Sequence, residues 1–282
     1  MKKILVTGAK GQLGQALQAV SSRFPECSLI LTDREELDIT NADAINEFFA
    51  GQEIDAVVNC AAYTAVDKAE TDEETAFQLN FQAPLFLAEA AQAKGCAFIQ
   101  VSTDYVFDGR NCRPYTEEDE TSPQSIYGAS KLRGEAAVMG THPGAIVIRT
   151  SWLYSRYGVN FALRMQELMK EKESLNVVFD QTGTPTYAPD LAAAIFTILQ
   201  HEAPEAGVYH FSNEGVASWY DFAVAIRELT GAACKVFPIT SEQFPTPAQR
   251  PAYSVLNKGK IKATFGVEIP YWKDSLAVCL GK

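Results

Sequence analysis

Three glycines, Gly8, Gly11 and Gly14, constrain what this 282-residue chain can fold into more than any other feature. They follow directly on the short apolar run Lys3-Ile4-Leu5-Val6-Thr7 and lead into a pattern of Leu13, Leu17 and Val20. A run that is apolar throughout marks a strand covered on both faces, and apolar positions three and four apart mark a helix. Glycine in the turn between them permits a tight bend and lets the backbone approach an anion at the positive helix N-terminus. The spacing is a variant of the dinucleotide-binding pattern, and by itself it also suits a plain strand-to-helix turn. Its place at the first strand–helix junction favours the dinucleotide. So does Asp33, which ends the second strand about 20 residues on and can accept ribose hydroxyls. Arg34 follows and can face a 2′-phosphate instead, so NADP(H) and NAD(H) both stay open.

The rest of the first half repeats this alternation. Strands are expected at residues 29–32, 55–59, 97–101 and 145–149. Helices are expected at 42–50, from Thr71 to the stop at Gly95 with Glu74 as a capping-box partner, and from near Tyr127. Such a chain folds as α/β, with a doubly wound, Rossmann-like parallel sheet. Beyond residue 150 the regularity fades into helices at 160–172, 189–200 and 218–230 and a short strand at 208–211. Residues 1–150 are therefore expected to form a dinucleotide-binding core. Residues 151–282 are expected to form mainly a smaller α/β substrate-binding lobe, with some segments returning to the core.

Charge narrows the partners. Lys and Arg total 24 against 35 Asp and Glu, a net charge of −11, which argues against nucleic acid or an anionic membrane surface. The early glycines interrupt the N-terminal apolar run before it reaches signal-peptide length, and no stretch approaches the roughly 20 apolar residues of a membrane span. The six cysteines are scattered without a C-x-x-C pair, so reduced, mostly buried thiols and a cytoplasmic location are expected. His142, His201 and His210 are too far apart to suggest a metal motif.

Two further segments carry chemistry. Tyr127-x-x-x-Lys131 places a phenol and a cation on one helix face, where the cation is expected to lower the tyrosine pKa from about 10 and poise it for proton transfer. Ser102-Thr103-Asp104-Tyr105 closes the fourth strand, at the sheet edge where ligands of such folds bind, and a hydroxyl there can polarise a carbonyl. Alone, the first suits a surface pair and the second a strand-ending turn. Together with the glycine turn they form a proton-relay constellation.

These residues resemble the extended short-chain dehydrogenase/reductase superfamily and, within it, the dTDP-4-dehydrorhamnose reductase family. Gly11-Gln12-Leu13-Gly14 carries the resemblance first, followed by the run from Asn59 to Glu70 and Ser102-Thr103-Asp104-Tyr105-Val106-Phe107. Tyr127-Gly128-x-x-Lys131-x-x-Gly134-Glu135, Arg149-Thr150-Ser151-Trp152 and Arg250-Pro251-x-x-Ser254-x-Leu256-Asn257 complete it. The resemblance implies reduction of the C4 keto group of dTDP-4-dehydro-L-rhamnose by a reduced nicotinamide. It implies cofactor contacts from Gly11, Gln12, Leu13, Asp33, Asp38, Ile39, Ala62, Tyr63 and Thr64, together with Tyr127 and Lys131, beside the Gly8, Gly14 and Arg34 that the glycine turn and second strand already offer. Thr103, Tyr127 and Lys131 would be catalytic. Thr103, Asp104 and Trp152 would touch the dTDP-sugar, with Arg250 near its diphosphate.

Some members of the family join a homodimer through Mg²⁺ held by acidic side chains. Gln15-Ala16 and Ala188-Pro189 stand where those glutamates are expected, which argues against the metal and leaves a homodimer open. Two rivals remain. One is a nucleotide-sugar dehydratase or epimerase of the same superfamily, although the dehydratase pattern would place Glu where Tyr105 stands. A non-catalytic regulatory subunit, like the beta subunit of methionine adenosyltransferase, could keep the same residues.

Overall fold

In the computed structural model, which describes residues 1–282, six parallel strands build the central sheet. They are β1 (Lys2–Thr7), β2 (Cys27–Leu31), β3 (Ala56–Asn59), β4 (Ala97–Thr103), β5 (Ile146–Thr150) and β6 (Gly207–His210), in the order β6-β5-β4-β3-β1-β2. The sixth strand comes from the second half of the chain and pairs Val208 with Val147. The principal helices are α1 (Gln12–Val20), α2 (Ala42–Gly51), α3 (Ala83–Lys94), α4 (Ile126–Thr141), α5 (Phe161–Glu171), α6 (Ala188–Gln200) and α7 (Trp219–Thr230).

Successive strand residues point to opposite faces, and each face feeds its own core. Ile4, Val6, Val58 and Ile99 meet Leu13 and Leu17 of α1 and Leu191 and Ile195 of α6. Leu5, Val57 and Phe98 meet Ile45 and Phe49 of α2, Leu87 of α3 and Val138 of α4. Each such side chain contributes about 1.5–3 kcal/mol on burial, which is why the sheet needs helices on both sides. A third core, built around Tyr154, Met165, Phe222, Ile226, Trp272 and Leu276, belongs to the second half of the chain. There the short strands Ser174–Val178 and Lys235–Ile239 pair in parallel beside α5 and α7. No helix is long and apolar enough to cross a membrane.

One expected helix differs. Its first turn begins at Glu73, with Asp72 in the capping position and no side-chain cap bond, so the capping box of Thr71 and Glu74 does not form. The Thr71 hydroxyl instead donates to the Lys68 carbonyl. After Phe77 the helix widens through one π turn, Gln78–Gln82, before continuing as α3. The turn packs tightly against α4. A β-carbon on Gly134 of α4 would lie 2.0 Å from the Asn80 carbonyl oxygen, so the widened turn fits only because that position is glycine. The helix ends as expected, at Gly95 in the left-handed conformation with φ 70°.

Candidate active site

A cleft of about 850 Å³ runs along the carboxyl ends of the sheet strands, beginning at the glycine turn. Gly11 occupies the capping position of α1 and supplies no side-chain cap, leaving the first-turn N–H groups without that partner. Gly8 has φ +63°, and a β-carbon there would sit 2.8 Å from the Ala61 nitrogen, so the loops after β1 and β3 approach closely only with glycine. A β-carbon on Gly14 would lie 2.5 Å from both the Ala9 Cα and the Gly8 oxygen. This tight, uncapped cradle fits the pyrophosphate of a dinucleotide.

Gly8, Gly11, Gln12, Leu13, Asp33, Arg34, Asp38, Ile39, Ala62, Thr64, Thr103, Asp104, Tyr127, Lys131 and Trp152 all wall this cleft. Three other candidates lie outside it. Gly14 packs beneath the turn. Tyr63 sends its hydroxyl to Asp72 at 3.0 Å, while its N–H donates to the Asn80 side chain at 2.9 Å. Arg250 lines a small adjoining recess and donates to the Tyr105 hydroxyl at 2.9 Å and to Asp67 at 2.6 Å.

At one end of the cleft, Asp33 accepts the N–H groups of Lys10 at 3.1 Å and Arg34 at 2.9 Å. Lys10 pairs with Glu35 at 2.7 Å, whereas the Arg34 guanidinium has no carboxylate within ion-pairing distance. Asp38 accepts both the N–H and the hydroxyl of Thr40, which hold its carboxyl below the usual range.

The other end carries the acid–base groups. Ser125 caps α4 by accepting the Gly128 N–H at 3.1 Å, which places Tyr127 in the first turn. Tyr105 meets the Tyr127 ring edge-on, with centroids 5.4 Å apart. Burial raises the Tyr127 pKa well above its ordinary value. The Thr103 hydroxyl opposes that rise, and Asp104 and Tyr105 add to it. The expected lowering by Lys131 is therefore not found. The Lys131 ammonium is buried and donates to the Val101 carbonyl at 2.7 Å. Burial pulls its own pKa down to about 8, against the opposing pull of Glu135 and Cys60. The phenol thus keeps its proton at neutral pH, which suits a donor.

Thr103 donates to the Asp104 carboxylate at 3.0 Å and accepts the Tyr105 N–H at 3.2 Å. Asp104 is 2% exposed, and burial raises its pKa to about 6. The Ser254 and Thr103 hydroxyls draw it back, although Ser254 stays outside hydrogen-bond geometry and Asp104 Oδ2 has no partner.

Support beneath these groups was not evident from the sequence. Glu135 accepts the Ser102 hydroxyl at 2.5 Å and two nitrogens of Arg149, the closer at 2.7 Å, while Arg149 lies over the Phe107 ring. The one available signal was the four-residue step from Lys131 to Glu135 on one helix. Gln12 accepts from Ser155 and Asn160, both at 3.0 Å, tying the glycine turn to the second half of the chain. Asn80 clamps the loop at Tyr63 to α4 through Ser130 at 3.0 Å. Cys60, Gln78, Leu79 and Val159 also wall the cleft, brought there by tertiary packing that leaves no sequence pattern. Trp152 is the only non-glycine residue in the left-handed region, with φ 48°, a conformation that costs on the order of 1–3 kcal/mol.

The comparisons with known proteins agree with this geometry. The model of the RmlD substrate binding domain matches residues 1–282. A dTDP-4-dehydrorhamnose reductase of Sinorhizobium fredii is 42% identical, over 97% of this chain and 95% of its own length. A crystal structure of a dTDP-4-dehydrorhamnose reductase from Clostridium acetobutylicum superposes with a TM-score of 0.95 at 45% identity, covering 99% of this chain and 98% of that one. One from Bacillus anthracis, in complex with NADP, gives a TM-score of 0.95 at 37% identity, covering 99% of both chains. With the whole chain matched in sequence and in structure, this protein belongs to the dTDP-4-dehydrorhamnose reductase family.

Proposed function

We propose that this chain reduces the C4 keto group of dTDP-4-dehydro-L-rhamnose to the alcohol of dTDP-L-rhamnose, with Tyr127 as the proton donor. The observation that carries this reading is that Tyr127, Thr103 and Lys131 wall the same cleft as the glycine turn and Asp33. A bound NADPH supplies the hydride. The first-turn N–H groups of α1 would hold its pyrophosphate, and Asp33 and Arg34 would take its adenosine ribose. The unpaired Arg34 and the NADP held by the Bacillus anthracis relative favour the phosphorylated cofactor.

The chain's own groups then divide the work. Thr103 hydrogen-bonds the C4 oxygen, giving up its bond to Asp104 to do so. Tyr127 passes its hydroxyl proton to that oxygen as the carbonyl becomes an alkoxide. Lys131, charged below about pH 8, offsets the negative charge left on the tyrosine. Residues 1–150 serve the dinucleotide and residues 151–282 mainly the sugar nucleotide, with Trp152 and Arg250 as its contacts. Dehydration fits less well, because elimination of water needs a second acid–base group and Tyr105 stands next to Asp104, committed to Arg250.

The test offers dTDP-4-dehydro-L-rhamnose with NADPH or NADH and follows cofactor absorbance. One cofactor oxidised per sugar, faster with NADPH, is expected. Sugar conversion without net oxidation, as in a dehydratase or epimerase that regenerates its cofactor, contradicts the proposal.

A further inference from the structure

The strain at Trp152 is held from several sides. Its carbonyl accepts the Thr186 N–H at 3.2 Å, and the neighbouring Ser151 hydroxyl donates to the Thr184 carbonyl at 2.8 Å. The indole lies so close to Gly183 that a β-carbon there would sit 2.8 Å from its ring. Its face is covered by Trp219, with centroids 3.6 Å apart and planes only 10° from parallel. Trp152 walls the cleft and Trp219 does not. Trp219 is the first residue of α7, directly after Ser218, whose hydroxyl accepts the Asp221 N–H and whose own N–H is bound by the Asp221 carboxylate. The Phe161 ring also packs against Trp219, tilted by 49° with centroids 4.7 Å apart. The second indole is therefore anchored in the lobe and backs the first without itself lining the cleft.

Trp152 also lies at a definite end of the cleft. It follows β5, where Thr150 pairs with Thr103 of β4, whereas Asp33 follows β2 at the far edge of the sheet. A wall in that place meets the sugar and not the adenosine. A flat aromatic face is suited to the C–H-rich side of a pyranose ring, provided that it cannot turn away.

We propose that Trp219 is a positioning residue: by stacking on Trp152 it holds that strained indole as the wall against which the hexose of the sugar nucleotide rests, and so sets affinity for the sugar nucleotide and not for the nicotinamide. This rests on the reductase reading of the cleft and deepens it. Loss of the stack frees the indole to swing out of the wall while Tyr127, Thr103 and Lys131 stay in place.

Trp219→Leu and Trp219→Phe test it together. With three tryptophans in the chain, the stacked pair gives an exciton-coupled circular-dichroism band, which both variants abolish. In Trp219→Leu the KM for the 4-keto sugar and the Kd of dTDP-L-rhamnose are expected to rise about five- to tenfold, the scale of one aromatic stack. The kcat and the NADPH Kd stay within about twofold, and Trp219→Phe recovers most of the loss because a phenyl face still supports the indole. An unchanged sugar Kd in Trp219→Leu, with the exciton band gone, overturns the proposal. So does a parallel loss of NADPH affinity and kcat, which marks a merely structural residue. If the parental protein binds dTDP-L-rhamnose but does not reduce the keto sugar, the reductase reading falls, while the Kd comparison still decides the role of Trp219.

Discussion

Lys131 gives its ammonium to the main-chain carbonyl of Val101, 2.7 Å away at the end of the sheet. Its charge is not delivered to the tyrosine on its own helix in the resting protein. The groups facing it are Glu135 one turn along, Cys60 from the loop after β3 and the Val101 carbonyl. Glu135 in turn is balanced by Arg149 of β5 and the Ser102 hydroxyl. If the reaction needs the charged ammonium, kcat/KM falls as pH rises through about 8, where Lys131 loses its proton. Glu135→Gln removes a charge that raises the Lys131 pKa and leaves Arg149 buried without its carboxylate. The alkaline limb of the pH–rate profile is expected to move to lower pH. The melting temperature should fall with it, breaking such a buried pair costing on the order of 3–5 kcal/mol.

Asp104 makes a prediction of the opposite sign for stability. Its folded pKa, about 6, lies above the ordinary 3.8, so the folded state binds the proton more tightly than the unfolded chain. Burying the charge therefore costs stability fully above pH 6, an effect that disappears as pH falls below about 4. The shift corresponds to about 3 kcal/mol as an upper bound. Asp104→Asn carries no such cost and is expected to melt at a higher temperature than the parent at pH 7–8, with the gap closing on acidification. Its initial rate is expected to stay near the parental value, because Thr103 releases Asp104 when it donates to the C4 oxygen. Thermal unfolding across pH, with initial rates at pH 7, checks both halves.

Cofactor choice is expected to rest on Arg34. Lys10 is occupied by Glu35, so Arg34 is the cation free to take a 2′-phosphate. Arg34→Ala should raise the KM for NADPH about tenfold, the scale of a charged hydrogen bond, and leave that for NADH nearly unchanged. Steady-state kinetics with both cofactors measures this directly.

Much of the frame was legible because short-range rules govern it. The alternation of strand and helix, the glycine turn and the stop at Gly95 depend on period, propensity and a left-handed φ that a sequence displays. The helix starts later than Thr71 because Asp72 takes the capping position, and the π turn at Gln78–Gln82 lies against Gly134 of α4, whose missing side chain leaves room for it. Nothing near residue 80 records that contact. The site divides in the same way. Residues inside motifs could be named, but the buried pair of Glu135 and Arg149, the clamp at Asn80 and the indole stack of Trp152 and Trp219 join segments up to 67 residues apart, counting 219 minus 152. The pKa of Tyr127 shows the remaining gap. Spacing placed a lysine one turn away, while burial and the direction of the ammonium decided the outcome.

The most direct test of the account is Tyr127→Phe, which keeps the ring and removes only the proton donor. With NADPH and dTDP-4-dehydro-L-rhamnose, kcat/KM is expected to fall at least about 100-fold, the ordinary scale of a lost general acid, while NADPH binds within about twofold of the parental affinity. A variant that reduces the keto sugar at the parental rate would contradict the assignment of Tyr127 and the mechanism built on it.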